Sequence, residues 1–229
     1  MSKYVVHTGK LTETMPLLRE RSVLYKPAPV ELCLRIQAAY PNTSGSKQIY
    51  TGDAIATSSS GDAVLQVHSP LLSGLNPRSN LEYGGLELSV ALWNALKTSP
   101  SNLYLRPSEV QEVDGKGYVY KEGIWQPENP VVERVWHYLT RGRGLQPHLK
   151  LAKQTSGNNR VLILYLNNSQ LGDPVLRSLV IQSLTHRSNV SGTYNLDDDN
   201  ACIIGVRSLR KERYSPLRIA GHSHEDVIQ

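Results

Sequence analysis

The chain has 229 residues, of which 39% are hydrophobic and 20% are charged, and its formal net charge is +5 at pH 7. A chain of this length and composition can bury a substantial core, which excludes a short peptide scaffold and a disordered tail. It contains no apolar run of roughly 18 residues, so we expect no insertion into a membrane.

The first residues and the two cysteines indicate the compartment. The opening MSKYVVHTGKLTET lacks the apolar stretch of about 7–15 residues that a secretory signal peptide contains. We therefore expect the protein to remain in the cytoplasm or in a virion and not to be secreted through a signal peptide. In a reducing compartment Cys33 and Cys202 are expected to be free thiols that are buried as small hydrophobic residues.

The first 80 residues carry patterns typical of a small antiparallel sheet. Tyr4 to Thr8 predicts an edge strand, and Val30 to Ala38 alternates apolar with polar residues, which predicts a half-buried strand. Residues 63–67 alternate in the same way. Residues 48–57 predict strand structure that is interrupted by Gly52-Asp53.

From residue 81 onward the hydrophobic period becomes helical. It predicts a helix from about Leu86 to Lys97, which ends before Pro100. Residues 109–126 contain two turn signals and predict a meander of short strands. Asn129-Pro130 then predicts the start of another helix, which ends at Arg141-Gly-Arg-Gly144.

The last third of the chain contains a continuous apolar run, Val161 to Leu166, which predicts a central strand covered on both faces. Asp173-Pro174 predicts an N-capped helix that extends to Leu184. Residues 192–196 and 201–208 flank a turn-like segment of acidic residues and predict a hairpin.

These elements together predict an α+β fold, with a mostly antiparallel sheet, about three helices packed on it and many loops. We expect a single domain over residues 1–229. Within it, residues 1–80 form a β-rich half and residues 81–229 a mixed half.

No established catalytic or nucleotide-binding motif occurs in the sequence. It lacks the nucleophile elbow G-x-S-x-G, the phosphate-binding loops GxxxxGK[ST] and GxGxxG, and the zinc motif H-E-x-x-H. We therefore expect no catalytic activity and no cofactor.

Three short groups of reactive residues have structural interpretations. His222-Ser-His224-Glu-Asp226 resembles the opening of a metallohydrolase motif, but only three residues follow it, so we interpret it as a tail. Asp197 to Asp199 offers oxygen ligands for a hard cation, yet it lacks the spacing of a calcium loop and is typical of a solvated turn. Asp114-Gly115-Lys116 is typical of a hairpin turn more than of half a nuclease site. We predict no metal site.

Positive charge is concentrated in two segments, 141–160 and 207–218. The first contains no carboxylate, and Glu212 is the one acidic residue of the second. The candidate contact residues are Arg141, Arg143, Lys150, Lys153, Arg160, Arg207, Arg210, Lys211, Arg213 and Arg218. Such segments can follow a phosphate backbone, meet an acidic face of a neighbouring subunit, or form a solvated surface.

The aromatic residues are almost all amphipathic, because the chain has 12 Tyr, 3 Trp and no Phe. Tyr and Trp bury apolar area while keeping a polar group, and they are enriched at interfaces. Together with the missing catalytic motifs, this favours a non-enzymatic structural subunit of a large symmetric assembly, such as a head-to-tail connector, tail or capsid-associated protein of a virus or phage. The expected partners are copies of itself and other subunits. The alternatives are a basic nucleic-acid-binding module and, third, an RNA-processing nuclease.

Overall fold

A computed structural model of the chain describes residues 4–20, 25–39, 48–166, 172, 174–183 and 189–207. The strands in these ranges are β1 (Tyr4–Thr8), β2 (Tyr25–Pro27), β3 (Ile49–Thr57), β4 (Ala63–Gln66), β5 (Leu81–Glu82), β6 (Gly85–Glu87), β7 (Leu103–Leu105), β8 (Lys116–Lys121), β9 (Ile124–Pro127), β10 (Arg160–Tyr165), β11 (Val175–Ile181), β12 (Val190–Ser191) and β13 (Cys202–Arg207). The helices are α1 (Leu11–Glu20), α2 (Val30–Ala39), α3 (Pro70–Ser73), α4 (Val90–Thr98), α5 (Pro107–Val113), α6 (Pro130–Thr140) and α7 (Gln146–Ser156).

All 13 of these strands belong to one sheet, whose main path is β1-β13-β3-β11-β12-β10-β8-β9. The sheet is mixed, because β13 runs parallel to β3 and β10 runs parallel to β12, whereas the remaining pairs are antiparallel. The predicted α+β arrangement of about three helices on a mostly antiparallel sheet is wrong. The described part of the chain has seven helices, and strands distant in sequence pair in both directions.

The segment that was predicted as a strand, Val30 to Ala38, forms helix α2. Its first free N–H group, on Val30, donates a hydrogen bond of 2.8 Å to the Asp53 carboxylate, which stabilises the start of the helix. Leu32 and Ile36 are only partly buried, although alternation would place them in the core. The fully buried positions instead follow helical spacing: Val30, Cys33, Leu34 and Gln37.

Residues 175–181, predicted as a helix, form the central strand β11, in which every residue is buried. The proposed cap Asp173 lies outside the described residues. The predicted hairpin of 192–196 with 201–208 is also wrong, because residues 192–196 form no strand and β13 pairs with β1, β2 and β3. The predicted break at Gly52-Asp53 does not end the strand, since β3 continues through it, although the register of its pairing with β11 shifts there.

Several predicted elements are confirmed. β1 is an edge strand that pairs with β13, and the apolar run at 161–166 forms the buried strand β10. Helix α6 begins where Asn129 predicts, because its side-chain oxygen accepts a hydrogen bond of 2.9 Å from the Val132 N–H. The predicted meander over 109–126 is confirmed only in its second part: residues 116–127 form the hairpin β8–β9 with its turn at Glu122-Gly123, whereas residues 109–113 belong to helix α5.

Hydrophobic clusters cover both faces of the sheet. Ile49 and Ile55 of β3 belong to one cluster, and Tyr50 and Ala54 to the other, as the alternation of side chains along a strand requires. Residues of α2, α5, α6 and α7 pack on the first face, and residues of α1, α3 and α4 pack on the second. Both cysteines are buried, as predicted. No helix among the described residues is long and apolar enough to span a bilayer.

The buried carboxylate of Asp62 fixes the Ser/Gly turn between β3 and β4. It accepts hydrogen bonds from Lys97 Nζ and Ser60 Oγ, each at 2.8 Å, and from the Ser58 hydroxyl. Burial acts to raise the pKa of Asp62, but these hydrogen bonds outweigh it and hold the pKa at about 2. The ionised carboxylate therefore joins α4 to the turn at neutral pH.

This arrangement gives a prediction about acid stability. The folded pKa of Asp62 lies below its ordinary value of 3.8, so its contacts contribute stability that is present above about pH 4 and is lost as the pH falls toward about 2. We expect Asp62→Asn to lower the free energy of unfolding by about 1.5–3 kcal/mol at neutral pH and to flatten the acid dependence. Urea denaturation across this pH range measures both effects. The matched control is Asp199→Asn, whose carboxylate is exposed, and an acid profile of Asp62→Asn identical to wild type would contradict the argument.

Candidate anion-binding cleft

A basic cleft lies where β2, β13, the start of α2 and the end of α6 meet. Its two adjoining parts have volumes of about 270 and 420 Å³, and both are lined by Lys26, Pro27, His68 and Arg141. Glu31 is the single carboxylate among the described lining residues. The cationic lining residues are Lys26, Arg35, Arg141, Arg143 and Arg207.

Strand pairing and a helix end bring these cations together. Lys26 of β2 pairs with Val206 of β13, and the neighbouring Tyr25 pairs with Arg207. Lys26 and Arg207 therefore lie one position apart along the two paired strands. Helix α6 ends at Thr140, and its C-cap residue Arg141 adopts a left-handed conformation with φ of 54°, followed by Gly142 with φ of 70°. Both Arg141 and Arg143, which lie in the turn after the helix, line the cleft.

Glu31 organises one wall of the cleft. Its Oε1 lies 2.8 Å from Arg35 Nε, and its two oxygens accept hydrogen bonds of 3.1 and 3.0 Å from Arg143 Nη1. One carboxylate therefore pairs with two guanidinium groups, which leaves an excess of positive charge. Among the described lining residues, Arg141 and Arg207 add to that excess.

The fully buried carboxylate of Asp53 ties together two walls of the cleft. Its Oδ2 accepts a hydrogen bond of 2.8 Å from the Val30 N–H at the start of α2, and its Oδ1 accepts one of 2.8 Å from the His68 N–H. Burial raises the pKa of Asp53 to about 7 against the opposing effect of these hydrogen bonds. The Asp53 side chain therefore holds both walls of the cleft, because it accepts hydrogen bonds from the backbone of Val30 and of His68.

His68 is held in a left-handed conformation with φ of 55°. Burial, together with the nearby charges of Arg141 and Lys26, lowers the pKa of His68 to about 4, so its imidazole is neutral at pH 7. Sequence analysis missed both His68 and Asp53. Neither belongs to a motif, and Gly52-Asp53 was interpreted as a turn signal although it lies within a strand.

The structure distributes the predicted basic residues unequally. Arg141 and Arg143 of the first segment and Arg207 of the second line the cleft. Lys150, Lys153 and Arg160 do not line it. Arg210, Lys211, Arg213 and Arg218 lie outside the described residues.

The other three basic residues of the first segment, Lys150, Lys153 and Arg160, lie outside the cleft. Lys150 is exposed on α7. Lys153 Nζ lies 5.0 Å from the centroid of the Tyr120 ring. The guanidinium of Arg160 forms an ion pair of 2.9 Å with Glu128.

The acidic segments serve as structural contacts. Asp114 follows α5, and its Oδ1 accepts a hydrogen bond of 2.8 Å from the Leu166 N–H, so it joins a helix to β10 and does not form the predicted hairpin turn. In the 197–199 segment, Asp198 accepts a hydrogen bond of 3.2 Å from the Tyr50 hydroxyl. The described part of the chain contains no group of three or more His, Cys, Asp or Glu side chains placed to hold a metal ion. The His222 to Asp226 segment lies outside it.

No protein-family model matches the chain, and no curated protein matches it. A solved structure described as "Accommodation of massive sequence variation in Nanoarchaeota by the C-type lectin fold" matches 90% of this chain and 98% of its own, with a TM-score of 0.57 and 16% sequence identity. The chain has a C-type lectin-like fold. This C-type lectin-like architecture replaces the predicted arrangement of about three helices on an antiparallel sheet, and at this identity the likeness concerns the fold alone.

Proposed function

We propose that this protein is a non-enzymatic binding protein that holds an anionic group of its partner in the basic cleft. The observation that carries the proposal is the charge of the cleft, whose described lining contains four arginines and one carboxylate, that of Glu31. The hydrogen bonds of Asp53 hold two of its walls in place before a ligand arrives. Such preorganisation lowers the entropic cost of binding.

A binding role also agrees with the scaffold. C-type lectin-like folds are generally non-enzymatic. The similar solved structure is described as accommodating massive sequence variation, which suits a fold that presents binding residues on its connecting segments. Here Pro29, His68, Arg141 and Arg143 all lie in such segments.

Asp53, His68 and Ser73, at or beside the cleft, are the residue types of a hydrolase triad but do not have its geometry. The carboxylate of Asp53 contacts the backbone N–H of His68 and not the imidazole ring. The Ser73 hydroxyl donates a hydrogen bond of 3.1 Å to the Ser69 carbonyl. A triad requires the base to bond both the nucleophile and the acid through its ring, so these three residues favour a structural role.

The cleft favours a compact anionic group over a strand of nucleic acid. Proteins that bind single strands stack the bases on aromatic side chains, and no Tyr or Trp occurs among the described lining residues. A carboxylate or phosphate group held by arginine fits the observed lining better. The predicted role as a structural subunit of a virus or phage particle stays a prediction, in which an acidic group of a neighbouring subunit would occupy the cleft.

The test is a comparison of two variants that lose the same charge. We expect Arg141→Gln/Arg207→Gln to bind inorganic phosphate and octaglutamate about thirty-fold more weakly than wild type, since each of the two lost charge-assisted contacts contributes on the order of 1 kcal/mol. Arg78→Gln/Lys150→Gln removes two exposed cations that lie outside the cleft and is expected to stay within about two-fold of wild type. Isothermal titration calorimetry measures the affinities.

Two outcomes would contradict this proposal. If Arg141→Gln/Arg207→Gln bound phosphate and octaglutamate as tightly as Arg78→Gln/Lys150→Gln does, the anion would bind outside the cleft. Tight binding of a thymidine oligonucleotide at physiological salt, stronger than that of octaglutamate and lost in Arg141→Gln/Arg207→Gln, would instead support the nucleic-acid-binding alternative.

A further inference from the structure

A second cavity adjoins the basic cleft and has the opposite character. It has a volume of about 450 Å³ and lies between the C-terminal half of α2 and the connection from α6 to α7. Its lining is largely apolar and includes Leu34, Ala38, Ala39, Leu145 and Pro147. We call it the apolar cavity. Its size is within the usual range of small-molecule pockets, about 300–1,000 Å³.

The two cavities share three charged side chains, Glu31, Arg35 and Arg143. The ion pairs of Glu31 with both arginines therefore stand at the boundary between them. Arg143 uses Nη1 for Glu31, and a guanidinium has five N–H donors, so further donors are available to an anion at this boundary. A ligand that reaches across would meet cations at one end and apolar side chains at the other.

Apart from the three charged side chains at the boundary, the polar side chains in the described lining of the apolar cavity, Thr140 and His148, are already engaged or shielded. The Thr140 hydroxyl donates a hydrogen bond of 2.7 Å to the Trp136 carbonyl. His148 Nδ1 lies 3.2 Å from the Leu34 carbonyl, and its Nε2 is buried away from solvent. Burial also lowers the pKa of His148 to about 4, so the ring is neutral at pH 7. A nucleobase or a sugar would find few hydrogen-bonding partners here, whereas an alkyl or aryl group would need none.

We propose that the ligand is a small amphipathic anion, with a phosphate or carboxylate group in the basic cleft and an alkyl or aryl body in the apolar cavity. This inference rests on the proposed function, because it names the class of molecule whose anionic group the cleft holds. The cations at the shared boundary are what select an anionic ligand over a neutral apolar one.

The experiment uses a homologous series on the full chain. Isothermal titration calorimetry compares inorganic phosphate with ethyl, butyl, hexyl and octyl phosphate, and with the matching carboxylates, below the concentrations at which they form micelles. We expect affinity to rise by about four-fold for each methylene that enters the apolar cavity. Octanol, which lacks the charge, is expected to bind at least about ten-fold more weakly than octyl phosphate.

Two variants separate the parts of the site. Ala38→Trp fills the apolar cavity and is expected to abolish the dependence on chain length while leaving the affinity for inorganic phosphate unchanged. Ala39→Trp, at an exposed position of the same lining, is the second variant if Ala38→Trp lowers stability. The matched control is Ala91→Trp on an exposed position of α4, which should behave as wild type.

The results distinguish failure of this inference from failure of the proposed function. If wild type binds phosphate and all alkyl phosphates equally, the apolar cavity takes no part and the inference is wrong, although the basic cleft still binds anions. If octanol binds as tightly as octyl phosphate, the cavity is an independent apolar site and the inference is again wrong. If no anion binds to wild type, the proposed function itself fails. A preference for phosphates or for carboxylates identifies the anionic group.

Discussion

Replacement of Leu179 by alanine is expected to lower the free energy of unfolding by about 2–5 kcal/mol. Leu179 is fully buried in β11, within the hydrophobic cluster on which α2 and α6 pack. Truncation removes methyl groups from that cluster and leaves a cavity. The surrounding strands, held by backbone hydrogen bonds on both sides, cannot collapse to fill it.

Urea denaturation followed by circular dichroism measures this loss. The matched control is Leu17→Ala on α1, whose side chain is 43% exposed and whose truncation is expected to cost less than about 1 kcal/mol. A cost for Leu179→Ala as small as that of the control would contradict the placement of β11 at the centre of the sheet.

The second large effect is expected at Gly117 of β8, where Gly117→Ala should cost about 1–3 kcal/mol through overpacking. A Cβ atom at this position would lie 2.5 Å from the Val161 carbonyl oxygen and 2.8 Å from that of Leu162. These are backbone atoms of β10, which cannot move aside as the end of a flexible side chain can. The close approach arises at a bulge, where the pairing register shifts after Val161 and Leu162 adopts a φ of 54°.

Thermal or urea denaturation measures the cost, and Gly144→Ala provides the control. Gly144 has open space around the position of a Cβ atom and its φ is not positive, so alanine should be neutral or slightly stabilising there. If Gly117→Ala proved as stable as wild type, the two strands could not approach each other as closely as described.

Local signals predicted some elements correctly because those elements depend on few distant contacts. The start of α6 follows from the Asn129 side chain and from Pro130 at the first helical position. The strand β10 follows from a continuous apolar run that only a doubly covered strand can bury. In both cases residues within one short segment determine the structure.

The predictions for α2 and β11 were wrong because the spacing of apolar residues in each short segment fits both a strand and a helix. In α2 the apolar residues satisfy alternation, yet a helix that begins at the Asp53 carboxylate buries Val30, Cys33 and Leu34 on one face. In β11 the spacing of Leu176 and Leu179 also fits a helix, but the segment is a strand because it pairs with β3. The contact of Val30 with Asp53 spans 23 positions and the pairing of β11 with β3 spans more than 100, so no local pattern reveals either.

The candidate site could be predicted in part. Arg141 and Arg143 stand out as charges without neighbouring carboxylates, and they do line the cleft. Their convergence with Arg207 and Lys26 depends on the pairing of β2 with β13, and this pairing is not visible in either basic segment. Asp53 gives no signal at all, because a single carboxylate in a strand acquires its role only when α2 and His68 pack against it.

The position of β13 has a consequence for how the chain folds. β1, β2 and β3 all pair with this strand, which is the last one described. These three strands can therefore complete their pairing only after β13 has been synthesised. Closing such long loops slows folding relative to chains with local contacts. A nascent or truncated chain that ends before Cys202 would expose the edges of three strands, and unpaired edges of this kind associate with other chains.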